Sequence, residues 1–258
     1  GQSDIDAIVE KEAAKQPLFD FTAPDGIHHT LWRIDESGSK TLAALFRKEV
    51  PVFYIADGHH RSAAAARTAA ECAPKNPDHT GAEDYNYFLT VAFPADQLRI
   101  LPYNRAVRTL NGLTPAAFLM QIGEKFKISP AKDGEVEHTG EFKFYMAEEW
   151  YLARPKFDVS KLDVIGQLDV SILQNNVLAP LLGVDDPRTS KEIDFIGGIR
   201  GTKELVKLVD SKSYAIAFSM HATTVEQLMA IADAGGIMPP KSTWFEPKLR
   251  DGLVSHNF

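Results

Sequence analysis

The chain has 258 residues, enough for one large domain or two modest ones. A hydrophobic share of 44% and a charged share of 24% are ordinary for a globular protein, and no apolar run reaches the roughly 18 residues that cross a bilayer. The net charge of −7 argues against a nucleic-acid partner, which calls for a basic excess or stripe.

In chain order, Ile5, Ile8 and Val9 have helical spacing within 4–15, ahead of Pro17. Residues 19–23 and 29–34 read as two strands joined by an Asp25-Gly26 turn, a hairpin. A short helix over 39–48 turns Leu42, Leu45 and Phe46 inward. The run Val52-Phe53-Tyr54-Ile55-Ala56 is too short and too β-rich for a helix and reads as a buried strand stopped by Asp57-Gly58. An alanine-rich helix over 62–73 follows, ended by Pro74, and then a polar loop.

Residues 87–93 form another apolar strand, with a short one at 98–101 and a helix over 115–126. The segments 142–146 and 150–154 alternate as an antiparallel hairpin turning at Glu148-Glu149. Asp169 is placed to cap a helix over 170–182, with Gly183 just past its end. Strands are expected at 193–196 and 214–220, helices at 202–209 and 225–234, and an irregular tail from Met238 ordered by Pro239-Pro240, Trp244 and Phe245. These elements predict an α+β fold with a mixed sheet and a C-terminal α/β portion. A division near residue 110 separates a 1–110 phosphate-binding portion from a 111–258 portion packed on it.

A single cysteine, Cys72, excludes an internal disulfide and reads as a small half-buried thiol in a reducing, cytoplasmic setting. The N-terminus has no basic flank followed by an apolar core, so no signal peptide is expected. Gly1 reads as the scar of a cleaved tag.

The segment Asp57-Gly58-His59-His60-Arg61 carries the functional expectation. A buried strand running through a glycine turn into a helix presents unpaired N–H groups and the positive helix end to an anion. Asp57 is expected to cap the helix, and Gly58 to let a ligand approach the backbone. On a helical wheel Asp57, His60 and Arg61 fall on adjacent positions, while His59 points elsewhere and orients the turn. Arg61 suits a bidentate grip on phosphate oxygens, and His60 suits proton transfer near neutral pH. The alanines behind the turn are expected to pack closely on the sheet and hold it rigid. Adjacent histidines project about 100° apart on a helix, so a histidine metal site is disfavoured, whereas Asp57 could meet a Mg²⁺ carried by a nucleotide.

The box resembles that of the ParB/sulfiredoxin superfamily, which includes CTP-binding partition proteins, an ADP-dependent kinase of free serine and ATP-using sulfiredoxins. Four segments, Gly26–Ile34, Tyr54–Arg61, Leu168–Leu173 and Met238–Leu249, are in order similar to the bacterial and archaeal domain of unknown function numbered ten-fifteen. That family has no assigned reaction and its members are usually longer, with an upstream region. Where it tends to show a histidine before an arginine, this chain has Leu101-Pro102-Tyr103-Asn104-Arg105, and where an asparagine or aspartate is expected after the late strand, it has His221.

The resemblance implies a ParB/sulfiredoxin-like core that binds a nucleotide (ATP, ADP or CTP, with Mg²⁺) or another phosphorylated small molecule. Catalysis by His60, Asp57 and Arg61 would be phosphoryl transfer or nucleotide hydrolysis. Gly58, His59, His60 and Arg61 would bind the cofactor, with Lys241, Ser242, Thr243 and Arg105 as further contacts. The cluster Lys241-Ser242-Thr243 reads equally as a structural clasp, and Arg105 and Arg108 as solvated or salt-bridged side chains. Gly197-Gly198-Ile199-Arg200-Gly201-Thr202-Lys203 lacks Walker spacing and reads as a plain turn. The competing functions are a nucleotide-switched regulatory module related to DNA-partition proteins and a metal-assisted hydrolase.

Overall fold

In the computed structural model, which describes residues 1–248, 250 and 252–256, the chain divides into two compact units, 1–98 with 249–258, and 99–248. Leu249, the end of the fourth segment, lies outside the described residues. The expected boundary near 110 falls inside the second unit. Among the described residues no helix is long and apolar enough to cross a membrane.

The first unit opens with α1 (Ser3–Ala13), whose Ile5 is buried at 7% exposure. The hairpin forms as β1 (Phe19–Thr22) and β2 (His28–Leu31), paired antiparallel with Phe19 opposite Leu31. Helices α2 (Glu36–Glu49) and α3 (His59–Cys72) follow, and Cys72 is half-buried as expected. Two expectations fail here. Residues 52–56 and 87–93 lie outside any strand, with Val52, Phe53, Tyr87 and Phe88 each between 46% and 59% exposed. Helix α3 therefore has no sheet beneath it: it buries no residue, and its expected packing on a strand does not occur.

The second unit holds β3 (Arg99–Leu101), β4 (Tyr103–Val107), α4 (Pro115–Lys125), β5 (Phe126–Ala131), β6 (Phe142–Met146) and β7 (Glu149–Pro155). It continues through α5 (Asp169–Leu173), β8 (Ile193–Gly197), α6 (Gly201–Asp210), β9 (Ile216–Met220), α7 (Val225–Asp233) and β10 (Trp244–Glu246). Six strands form one sheet in the order β5-β7-β6-β9-β4-β8, every neighbour pair antiparallel, while β10 pairs with β3. The fold is mixed α+β.

Alternation along the strands sorts the two faces. Phe142, Phe144 and Phe218 point to one side and bury with Phe118 and Ile122 of α4 and with Leu173 of α5. Tyr145, Ala106 and Ala217 point to the other, where Leu205 and Val209 of α6 cover them. The hairpin turns at Ala147 and Glu148, both with positive φ, one residue earlier than expected. Asp169 does not cap α5. Leu168 is the N-cap, Asp169 is the first helical residue, and a π-helical segment, Gln174–Leu178, continues from α5. The Asp169 carboxylate instead accepts the Gly140 amide at 2.7 Å.

Candidate functional site

The helix that follows the Asp57–Arg61 turn starts on Gly58, whose φ of +79° is left-handed and which carries no side chain to cap α3. The first amide to find a helical partner is that of Ser62, bonded to the Gly58 carbonyl at 2.9 Å. The N–H groups of His59, His60 and Arg61 belong to the uncapped first turn. Asp57 sits one residue before the cap and accepts the Gly58 amide at 2.8 Å. Its expected capping role is therefore corrected: a left-handed residue lies between its carboxylate and the first-turn amides.

Arg61 folds back over this turn. A β-carbon placed on Gly58 would lie 3.2 Å from Arg61 Nη2, so the guanidinium covers the bare glycine face. The side chains of His59, His60 and Arg61 are exposed. The turn thus gathers uncapped amides, the α3 dipole and a guanidinium at one surface point. Among the described residues no group of three or more His, Cys, Asp or Glu side chains is placed to hold a metal ion, which leaves the hydrolase reading without a ligand set.

The remaining expected residues belong to the second unit, and two are corrected. Arg105 is not solvated, and among the described residues it has no salt bridge. It is 3% exposed, donates to the carbonyls of Tyr103 and Lys241, and lies 5.5 Å from the Phe195 ring centre. Burial lowers its pKa to about 10, which leaves it cationic at neutral pH and committed to backbone oxygens. Ser242, 4% exposed, donates to the Pro239 carbonyl at 2.7 Å, while its own carbonyl accepts from Thr223. That hydroxyl serves the clasp. Lys241 is exposed with φ +54°, its ammonium 5.5 Å above the Tyr103 ring, and Thr243 is half-buried. Arg108 is salt-bridged as expected, 2.6 Å from Asp194.

The glycines of the 197–201 turn have distinct tasks. The Trp244 ring lies against Gly197, leaving no room for a β-carbon, and the Pro102 carbonyl crowds Gly198 in the same way while accepting its amide at 2.8 Å. Gly201 takes φ +68° to start α6. Beside this turn opens a cavity of about 220 Å³ lined by Arg99, Asn104, Glu135, Thr202, Ser219 and His221, among others. Sequence reading missed it. Asn104 and His221 drew notice only as departures from a pattern, and Ser219 carried no signal beyond a polar residue in an apolar strand.

The family described as "Protein of unknown function (DUF1015)" matches residues 1–171. No curated protein matches the chain. Among solved structures, a free serine kinase in complex with AMP is 14% identical, covering 95% of this chain and 80% of its own, with a TM-score of 0.39. A mutant of the free serine kinase in complex with ADP is 16% identical over 95% and 80%, with a TM-score of 0.37. A conserved hypothetical protein from Pyrococcus furiosus is 13% identical over 94% and 81%, with a TM-score of 0.36.

Proposed function

We propose a function from one premise: this chain belongs to the DUF1015 family of proteins of unknown function. The turn Asp57–Arg61 binds the phosphate of a nucleotide or of another phosphorylated small molecule. One observation carries the reading, the uncapped start of α3 with the Arg61 guanidinium folded over Gly58. Positive dipole, first-turn amides without a side-chain cap from Gly58 and a planar cation converge there. The ParB/sulfiredoxin-like character of the turn is part of the same proposal and rests on its sequence and on the left-handed glycine that opens the helix. The likeness to solved structures is not a support.

In an enzyme this arrangement serves phosphoryl transfer or nucleotide hydrolysis. The amides of residues 59–61 and the Arg61 side chain hold oxygens of the transferring group and stabilise charge as it develops. His60, exposed in the same helical turn, takes or gives the proton of the acceptor. Asp57 is the carboxylate that would meet a Mg²⁺ arriving with the nucleotide.

A thermal-shift series with ATP, ADP, CTP, GTP and inorganic phosphate, each with and without Mg²⁺, tests the reading on the parent chain and on Arg61→Ala. A ligand at a hundred times its Kd adds about 2.7 kcal/mol to the parent. The reading expects that gain to vanish in Arg61→Ala, and equal shifts in both proteins overturn it.

A further inference from the structure

The cavity at the start of α6 presents polar groups that the fold does not use. The register that pairs Arg105 with Phe218 brings Asn104 alongside Ser219 at the next position, on the face shared with Ala106 and Ala217. Helix α6 covers the alanines but begins short of this polar pair. Asn104 is 2% exposed and its Oδ1 accepts the Met220 amide at 3.0 Å. Because an amide nitrogen cannot accept that bond, the orientation is fixed, and Nδ2 is left with two donors and no partner among the described residues. Ser219 is 3% exposed, and its hydroxyl likewise has no partner among the described residues. Both residues line the cavity.

The rest of the lining is mixed. His221 Nδ1 lies 2.8 Å from the Ala222 carbonyl, which can only accept, so the ring proton sits there and Nε2 is left as an acceptor, suited to a hydroxyl on the occupant. No side chain caps α6, and Gly201 opens it with bare backbone facing open space. Arg99 adds an exposed cation. Glu135 is the acidic residue of the lining, and one of its oxygens accepts the Thr202 hydroxyl at 3.0 Å. Donors on two side chains this deeply set, unpartnered among the described residues and both lining one cavity, point to an acceptor-rich occupant.

We propose that this cavity is a second anion site, separate from the α3 turn, and that it takes the phosphoryl group of a small phosphate monoester. The phosphoryl oxygens meet the Thr202 amide in the first turn of α6, Asn104 Nδ2 and the Ser219 hydroxyl, and the volume of about 220 Å³ leaves room for the ester's short carbon skeleton. The sequence reading of the 197–203 segment as a plain turn covers Gly197 and Gly198, which packing demands, but not the open start of α6.

The test is a titration of the ¹⁵N-labelled full chain with glycerol phosphate and with inorganic phosphate, with sodium acetate at equal ionic strength as the control. The proposal expects shifts at the Thr202 amide, in the first turn of α6, and at the Asn104 side-chain amide. Tighter binding of glycerol phosphate supports the monoester, and equal binding supports the site with free phosphate as its occupant. Ser219→Ala, a small change in volume, is expected to weaken binding roughly tenfold. Asn104→Asp keeps the acceptor for the Met220 amide but sets a negative charge where the donor was, and abolishes binding. Arg61→Ala leaves all of these shifts in place, which separates this site from the α3 turn. The proposal is overturned if acetate moves the same resonances equally, if nothing moves, or if folded Asn104→Asp binds like the parent.

Discussion

Two stretches of similar apolar character end in opposite conditions. Phe142–Met146 is paired on one side with β7 and on the other with β9, and Phe142, Phe144 and Met146 are all but inaccessible to water. Val52–Ala56 is just as rich in β-formers, yet it lies outside any strand, with Val52 at 55% and Phe53 at 59% exposure. The difference lies in the partners. Alternation says that a segment can bury a face, but burial needs neighbours that supply both hydrogen bonds and a covering layer. Among the described residues the second unit has a six-stranded sheet with helices on both faces, whereas the first has one two-stranded ribbon.

The comparison is sharpest in a pair of truncations. Phe218 packs against Phe142 and Phe144 at centroid distances of 6.1 Å, and Phe218→Ala is expected to cost about 3–5 kcal/mol. Phe88 is 46% exposed, and Phe88→Ala is expected to change stability by no more than about 0.5 kcal/mol. Urea unfolding of both variants measures the gap. Comparable losses would mean that the first unit hides a core of its own.

The density of the second unit also reaches a carboxylate. Asp169, 8% exposed, has its pKa raised from 3.8 to about 6 by desolvation, helped by the Glu141 charge and opposed by the Gly140 amide and by His221. The folded chain therefore holds this proton more tightly than the unfolded one. Below pH 4 both states are protonated and nothing is lost. From about pH 4 to 6 the unfolded chain ionises first, so stability falls, by about 3 kcal/mol when complete. Asp169→Asn keeps an acceptor for Gly140, so it should match the parent near pH 4 and exceed it at pH 7. Melting temperatures across that range report the difference, and parallel curves for the two proteins would remove Asp169 as the cause.

Much of the second unit was legible because its signals are local. The helices read over 115–126 and 225–234 form as α4 and α7, and the 142–155 hairpin follows from alternation. β4 was not legible: Tyr103-Asn104-Arg105 looks polar, and its burial depends on β8 and β9, about 90 and 110 residues further along the chain. The same distance hid the cavity, since Asn104 and Ser219 meet only through strand pairing. In the first unit the local elements, α1–α3 and the β1–β2 hairpin, were readable, whereas the strands inferred from apolar runs were not formed. Of the candidate site, the turn was visible as Asp57-Gly58, but the identity of its cap was not, because the left-handed φ of Gly58 moves that role off Asp57.

Helix starts extend the comparison at a smaller scale. α7 begins with a complete capping box, Thr224 accepting the Gln227 amide at 3.2 Å while Gln227 accepts the Thr224 amide at 3.0 Å. Thr224→Ala should cost about 1 kcal/mol in urea unfolding. A loss near zero would show that water replaces the cap at no expense, and that an open helix start is no sign of a waiting ligand.

α3 presents the contrasting case, and the smallest expected effect on stability. Arg61 is exposed, on a helix that buries nothing, so Arg61→Ala should shift stability by less than about 0.5 kcal/mol without ligand. A residue that holds the fold together cannot be removed so cheaply, whereas one kept for an anion can. The decisive quantity is therefore the ratio of two effects in one variant: near-silence in urea, and loss of the stabilisation that phosphate or nucleotide gives the parent. Should Arg61→Ala instead unfold the chain early, its guanidinium over Gly58 is a structural strap, and the uncapped amides lose the cation that makes their turn a phosphate site.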